Sequence, residues 1–248
     1  MTIRDGDGDR KGTPYLANRV YSHLRHFFTS CVRRKIITVS PMAEMPRPWN
    51  GEKPRDLHWF KGEAADDAVK KIWKAADEIG GVEGRFIKML VLTGKRPGPG
   101  SGLADMRWEN IAGAAWFWDA PPSPAKNKRR HAIHLPKLAQ RVLHPRQQQG
   151  DVFPHIHFSK LQKRVKELTG MQDFIFHGIR HLVETKAAEL KIAPHIRDLL
   201  LDHVPARGAG AGYDHHSYEG ETREAIELWS SYVERLVDPT GGQVTVLR

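Results

Sequence analysis

The sequence predicts an α+β fold that is mainly helical and carries a small antiparallel sheet. Three observations point there. Two helical patterns run back to back over 63–94, "EAADDAVKKIWKAADEIG" and "EGRFIKMLVLTG". Three short pieces follow, "MRWENI", "AAWFWDAP" and "RHAIHLP", rich in the tryptophan, phenylalanine and β-branched residues that suit a pleated surface. From Ser159 onward the pattern is helical again, in "SKLQKRVKELTG", "HGIRHLVETKAAELK", "PHIRDLLLDH" and "ETREAIELWSSYVERLV". Helices gathered around a small sheet, with no internal repeat, define the α+β class.

Taken in order, residues 1–12, "MTIRDGDGDRKG", are polar and glycine-rich and are expected to be disordered. "DGDGD" lacks the later ligands and closing glutamate of a calcium loop. A helix starts at Pro14, with Thr13 able to cap it, and Val20, Leu24, Phe27, Phe28 and Cys31 share one face. Residues 41–56, "PMAEMPRPWNGEKPRD", hold four prolines and read as a linker or strap. The domain reading is therefore a helical segment with its linker over 13–56, a main domain over 57–237 and a tail over 238–248. Acidic residues open the next helix and Gly80 ends it, while Gly94 closes the mostly buried helix after it. In "FPHIHF", His155 and His157 would face one side of a strand, where they could bind a metal, although no third ligand has convincing spacing. The stripe Ala225, Leu228, Trp229 and Val233 reads as core or as a subunit contact.

The 248 residues suffice for a sizeable core. The formal net charge is +10 and the pI about 9.8, which favours a polyanionic partner, nucleic acid first. The single cysteine, Cys31, excludes a disulfide framework and a cysteine-rich zinc site. No apolar run approaches a membrane span and no signal peptide opens the chain, so the expected setting is cytoplasmic and nucleoid-associated, with no membrane partner. The runs "VRRK", "KNKRRH" and "KLQKRVK" could line a DNA path.

The stretch "LTGKRPGPGSGLADMRW" holds a glycine-lysine pair but is no P-loop. Met89 stands where the first glycine should be, and Arg96 follows Lys95 where serine or threonine is needed. Arg96 lies just past a helix end. Lys126 sits in a basic loop between two strand pieces, with Lys128, Arg129 and Arg130 beside it. His177 and Arg180 in "FHGIRH" are three apart and share a helical face. His203 ends "LLLDH", and Tyr213 follows in "GAGAGYDHHSY".

This set resembles the tyrosine recombinases, the phage-type integrases. Their order is arginine, hairpin lysine, histidine-x-x-arginine, histidine and tyrosine, and all six residues occur here in that order over a match spanning roughly 14–236. The resemblance implies an enzyme that breaks and rejoins DNA through a 3′-phosphotyrosine, with Tyr213 as nucleophile and Arg96, Arg180, His177, His203 and Lys126 as its catalytic partners. A tyrosine hydroxyl, with pKa about 10, is a poor nucleophile at neutral pH. Two guanidiniums on the nonbridging phosphate oxygens would favour the transition state. His177 would assist proton removal, Lys126 would protonate the leaving 5′-oxygen, and His203 would donate to the phosphate. No metal, ATP or other cofactor is implied, because the arginines replace a cation and the phosphotyrosine keeps the bond energy. Lys95, Lys128, Arg129, Arg130 and His181 are expected to bind DNA. The partner is double-stranded DNA, and active forms assemble as homo-oligomers, tetramers in synapsis.

Alternatives stand beside these assignments. Lys128 competes with Lys126, and Tyr218 with Tyr213. A non-catalytic DNA-binding remnant and a metal-dependent nuclease using His155 and His157 are the other readings. A type IB topoisomerase shares the chemistry, but "GIRH" and "YDHHSY" look integrase-like. Two departures matter. "PGPGSG" replaces the usual continuation of the first arginine motif, so Gly102 falls where an acid that supports the arginine is expected, leaving Asp105 or Glu109 to compensate. Only about one helix of a core-binding domain precedes the linker, so a truncated, prophage-derived integrase of reduced grip on DNA is expected.

Overall fold

A computed structural model describes residues 5–7, 10–51, 58–60, 62–100, 102–118, 131–203 and 216–238. The chain divides into two compact units, residues 1–56 and 57–248.

In the first unit, β1 (Gly6–Asp7) and β2 (Arg10–Lys11) pair antiparallel, within the stretch expected to lack structure. Helix α1 (Pro14–Arg33) has proline in its first turn, but Thr13 makes no side-chain cap. The buried face is not the predicted one. Ala17, Asn18 and Tyr21 are buried, while Leu24 and Phe27 are exposed. The proline-rich strap decides this. The Asn18 amide donates to the Trp49 carbonyl at 2.7 Å and accepts from the Trp49 N–H at 3.0 Å, and the Tyr21 hydroxyl donates to the Met45 carbonyl at 2.7 Å. Arg25, His26, Arg33 and Arg47 line an open cleft of about 790 Å³ in this unit.

The second unit is built on a helical pair, α2 (Gly62–Ile79) and α3 (Gly81–Thr93). Gly94 takes a left-handed conformation (φ 59°) and its N–H closes α3 on the Leu90 carbonyl at 2.9 Å. The sheet is a meander of β3 (Ile111–Ala112), β4 (Ala115–Trp118) and β5 (His131–His134), antiparallel in the order β3-β4-β5, with Trp116 opposite Ile133. The strand expected over "MRWENI" shrinks to its last residue. The Trp108 N–H donates to the Gly150 carbonyl and the Val152 N–H to the Met106 carbonyl, both at 2.9 Å, so this segment pairs with 150–152, and Trp108–Asn110 forms a 3-10 turn.

Helices α4 (Lys137–Val142), α5 (Phe158–Thr169), α6 (Phe176–Glu189), α7 (Pro194–Leu200) and α8 (Glu219–Val237) complete the unit. "FPHIHF" is not a strand: His155 has φ 58° and His157 stands at the N-terminus of α5. Among the described residues, no group of three or more histidines, cysteines or carboxylates is placed to hold a metal ion. In α8 the buried stripe is Ala225, Ile226, Trp229 and Val233, while Leu228 is exposed. The Trp229 indole N–H donates to the Val91 carbonyl at 2.9 Å, fixing α8 to α3. Lys186 of α6 meets Asp66 of α2 at 2.7 Å, and the Tyr232 hydroxyl of α8 donates to Asp66 at 2.5 Å, which ties three helices at one carboxylate. No helix among the described residues is long and apolar enough to cross a membrane.

Candidate active site

The site forms where the end of α3, the first turns of α6 and the end of α7 meet. Gly94 turns the chain sharply out of α3, so that Lys95 and Arg96 follow directly on a buried helix. Their paths then diverge. Lys95 is 3% exposed, whereas Arg96 reaches partly into solvent. Lys95, expected to bind DNA, is thus an interior amine. Burial lowers its pKa from 10.5 to about 7, nearby Arg180 and Arg96 push the same way, and Asp202 opposes them.

Arg180 lies in α6 and is also 3% exposed. One guanidinium nitrogen donates to the Gly94 carbonyl at 3.1 Å and the other to the Leu201 carbonyl. It therefore joins the end of α3 to the end of α7. Burial first, and Arg96 next, lower its pKa to about 10. Arg96 is the outer guanidinium, and its Nη1 meets Asp202 Oδ2 at 3.4 Å.

His177, one helical turn before Arg180, faces outward beside His181, their rings 5.0 Å apart and edge to face. Partial desolvation, then the positive charge of His181, Arg180, Arg96 and His203, holds its pKa below the ordinary histidine value. It is neutral at neutral pH and suited to accept a proton. Between them stands Gly178, on which the Trp59 indole lies. A Cβ there would come within 2.3 Å of that ring, so "HGIR" needs its glycine for packing. His203 follows Asp202, and its Nδ1 lies 3.3 Å from Asp198 Oδ1.

The structure thus gathers Arg96, Arg180, His177 and His203, with Lys95 beneath and His181 beside them. Lys126, Lys128, Arg129, Arg130 and Tyr213 lie outside the described residues. Tyr218, the competing tyrosine, packs its ring against His195 and His216 at 5.0 and 4.5 Å. The acids expected to compensate for Gly102 bond elsewhere. Asp105 accepts from the Gly102 N–H at 3.3 Å, while Glu109 accepts from Arg107 at 2.7 Å and from the Gly150 N–H at 2.9 Å. The carboxylate on Arg96 is Asp202, the residue before His203 in "LLLDH". An acid next to a site histidine in an apolar run was the available signal.

No protein-family model matches the chain, and no curated protein matches it in sequence. Solved structures do match in shape. A dimer of lambda integrase(75-356) bound to a COC′ core site aligns with a TM-score of 0.53 at 17% identity, covering 77% of this chain and 72% of that one. A lambda integrase dimer bound to a COC′ core site aligns with a TM-score of 0.51 at 16% identity, covering 80% of this chain and 58% of that one. The integrase from mycobacterium phage Brujita aligns over 96% of this chain and 77% of its own at 14% identity, with a TM-score of 0.48. With its mainly helical body and three-stranded antiparallel sheet, the chain shares the fold of these lambda integrase structures.

Proposed function

We propose that the chain is a site-specific DNA recombinase that cleaves and rejoins duplex DNA through a covalent 3′-phosphotyrosine on Tyr213. The observation that carries this reading is the convergence of Arg96, Arg180, His177 and His203, which are far apart in sequence, around the ends of α3 and α7. Arg96 meets the nonbridging phosphate oxygens from outside. Arg180 supplies positive field from below, in a poorly solvated setting where it is little screened. As the tyrosine oxygen attacks phosphorus, its proton passes to His177 directly or through the phosphate. The P–O5′ bond breaks, and Lys126 protonates the departing oxygen. Rejoining is the same path reversed, with the 5′-hydroxyl displacing tyrosine. His203 donates to the phosphate, and its contact with Asp198 orients the ring.

The net charge of +10 and the arginine-lined cleft of the first unit favour a duplex as partner. His181 and the basic loop over 126–130 extend that contact, and a homo-oligomer brings duplexes together. The deciding experiment uses a nicked suicide duplex that traps the covalent step. A protein–DNA adduct forms with EDTA present and is absent with Tyr213→Phe. A wild-type protein that binds the duplex and forms no adduct is a DNA-binding module instead, and cleavage abolished by EDTA belongs to a metal-dependent nuclease.

A further inference from the structure

We propose that Asp202 is the positioning residue for Arg96, supplying from the end of α7 the carboxylate that the first arginine motif lacks. The inference rests on the recombinase reading above. The place where an acid was expected cannot hold one in this fold. A Cβ on Gly102 would lie 2.1 Å from the Gly98 carbonyl oxygen and 2.4 Å from that of Arg96. Both are backbone atoms of the same tight loop, which the Leu103 N–H closes on the Arg96 carbonyl at 2.6 Å. The loop that carries Arg96 has closed over the position of its own support.

Asp202 fills the need from another element. Its Oδ2 lies 3.4 Å from Arg96 Nη1, and its side chain is only 15% exposed. Its φ of 52° is in the left-handed region, which non-glycine residues seldom occupy and which, where it occurs, often marks a functional constraint. Its charge also opposes the mutual repulsion of Arg96 and Arg180, and favours a proton on Lys95. The neighbouring Leu201 carbonyl holds Arg180. One turn therefore grips both arginines, Arg180 by a carbonyl and Arg96 by a carboxylate, and delivers His203 as its next residue.

Asp202→Asn and Asp202→Gly both tolerate a left-handed backbone, so each removes the charge while keeping the turn. Single-turnover adduct formation at saturating duplex is expected to fall about 10- to 100-fold, the worth of a hydrogen bond to a charged group. Duplex affinity is expected to hold or improve, because a negative charge beside the phosphate is gone. Structural damage would lower both. In an Arg96→Lys background, Asp202→Asn is expected to add no further loss. An unchanged rate, or the same loss in that background, overturns the proposal. A second readout needs no cleavage: the guanidinium NMR signals of Arg96, assigned by their absence in Arg96→Lys, should show hindered rotation in the wild type that is released in Asp202→Asn. If the wild type forms no adduct but these signals change, the recombinase reading fails and the Asp202–Arg96 support stands. Unchanged signals overturn the support whatever the adduct does.

Discussion

Lys95 shows how a single side chain records its surroundings. Burial brings its pKa from 10.5 to about 7, so between those values the unfolded chain keeps a proton that the folded chain has released. Stability therefore rises with pH across that interval. The urea midpoint of the wild type should be higher at about pH 9 than at about pH 7, and the rise should shrink in Lys95→Met; an equal rise in both proteins would mean that Lys95 stays charged when folded. At this scale the sequence was legible in part. Arg96, His177, Arg180 and His203 stood out through the resemblance to the phage-type integrases, and the fold brings these four together. That Lys95 is interior was not legible, because its burial comes from α6 and the end of α7 closing over Gly94. Asp202 escaped notice because its partner lies 106 residues away.

The elements follow the same division. Helices α2, α3, α5, α6, α7 and α8 were readable from periodicity and end signals, as were strands β4 and β5. Helix α4 was missed because its six residues carry too short a pattern. "MRWENI" was misread because its backbone partners lie at 150–152 and not in a neighbouring strand. In α1 the strap, through Asn18 and Tyr21, covers a different face from the apolar stripe. Packing of the 3-10 turn His58–Phe60 on α6 gives a direct test. In Gly178→Ala the new methyl meets the Trp59 ring, so chemical denaturation should show a loss of about 1–3 kcal/mol. Adding Trp59→Leu to Gly178→Ala should cost less than the two single changes summed, since the clash is then relieved. Strict additivity would show that the ring and the glycine are not in contact.

On the scale of the whole molecule, charge would govern the proposed encounter with DNA. With a net charge of +10, duplex affinity should fall at least about tenfold between roughly 50 and 200 mM salt, as it does for proteins that neutralise several phosphates. A flat response in a salt titration would remove the backbone as the main contact. The anchoring of α8 has a different consequence. The Trp229–Val91 hydrogen bond and the Asp66–Lys186–Tyr232 junction fasten α8 to the body that carries Arg96 and Arg180. Tyr213 precedes Glu219, the first residue of α8, by only six residues, a leash of about 20 Å at full extension. Under the proposed function, the reach of Tyr213 is thereby limited to that radius about the start of α8. Under that reading, attack in the site of another subunit would require that site to come within the same radius of α8.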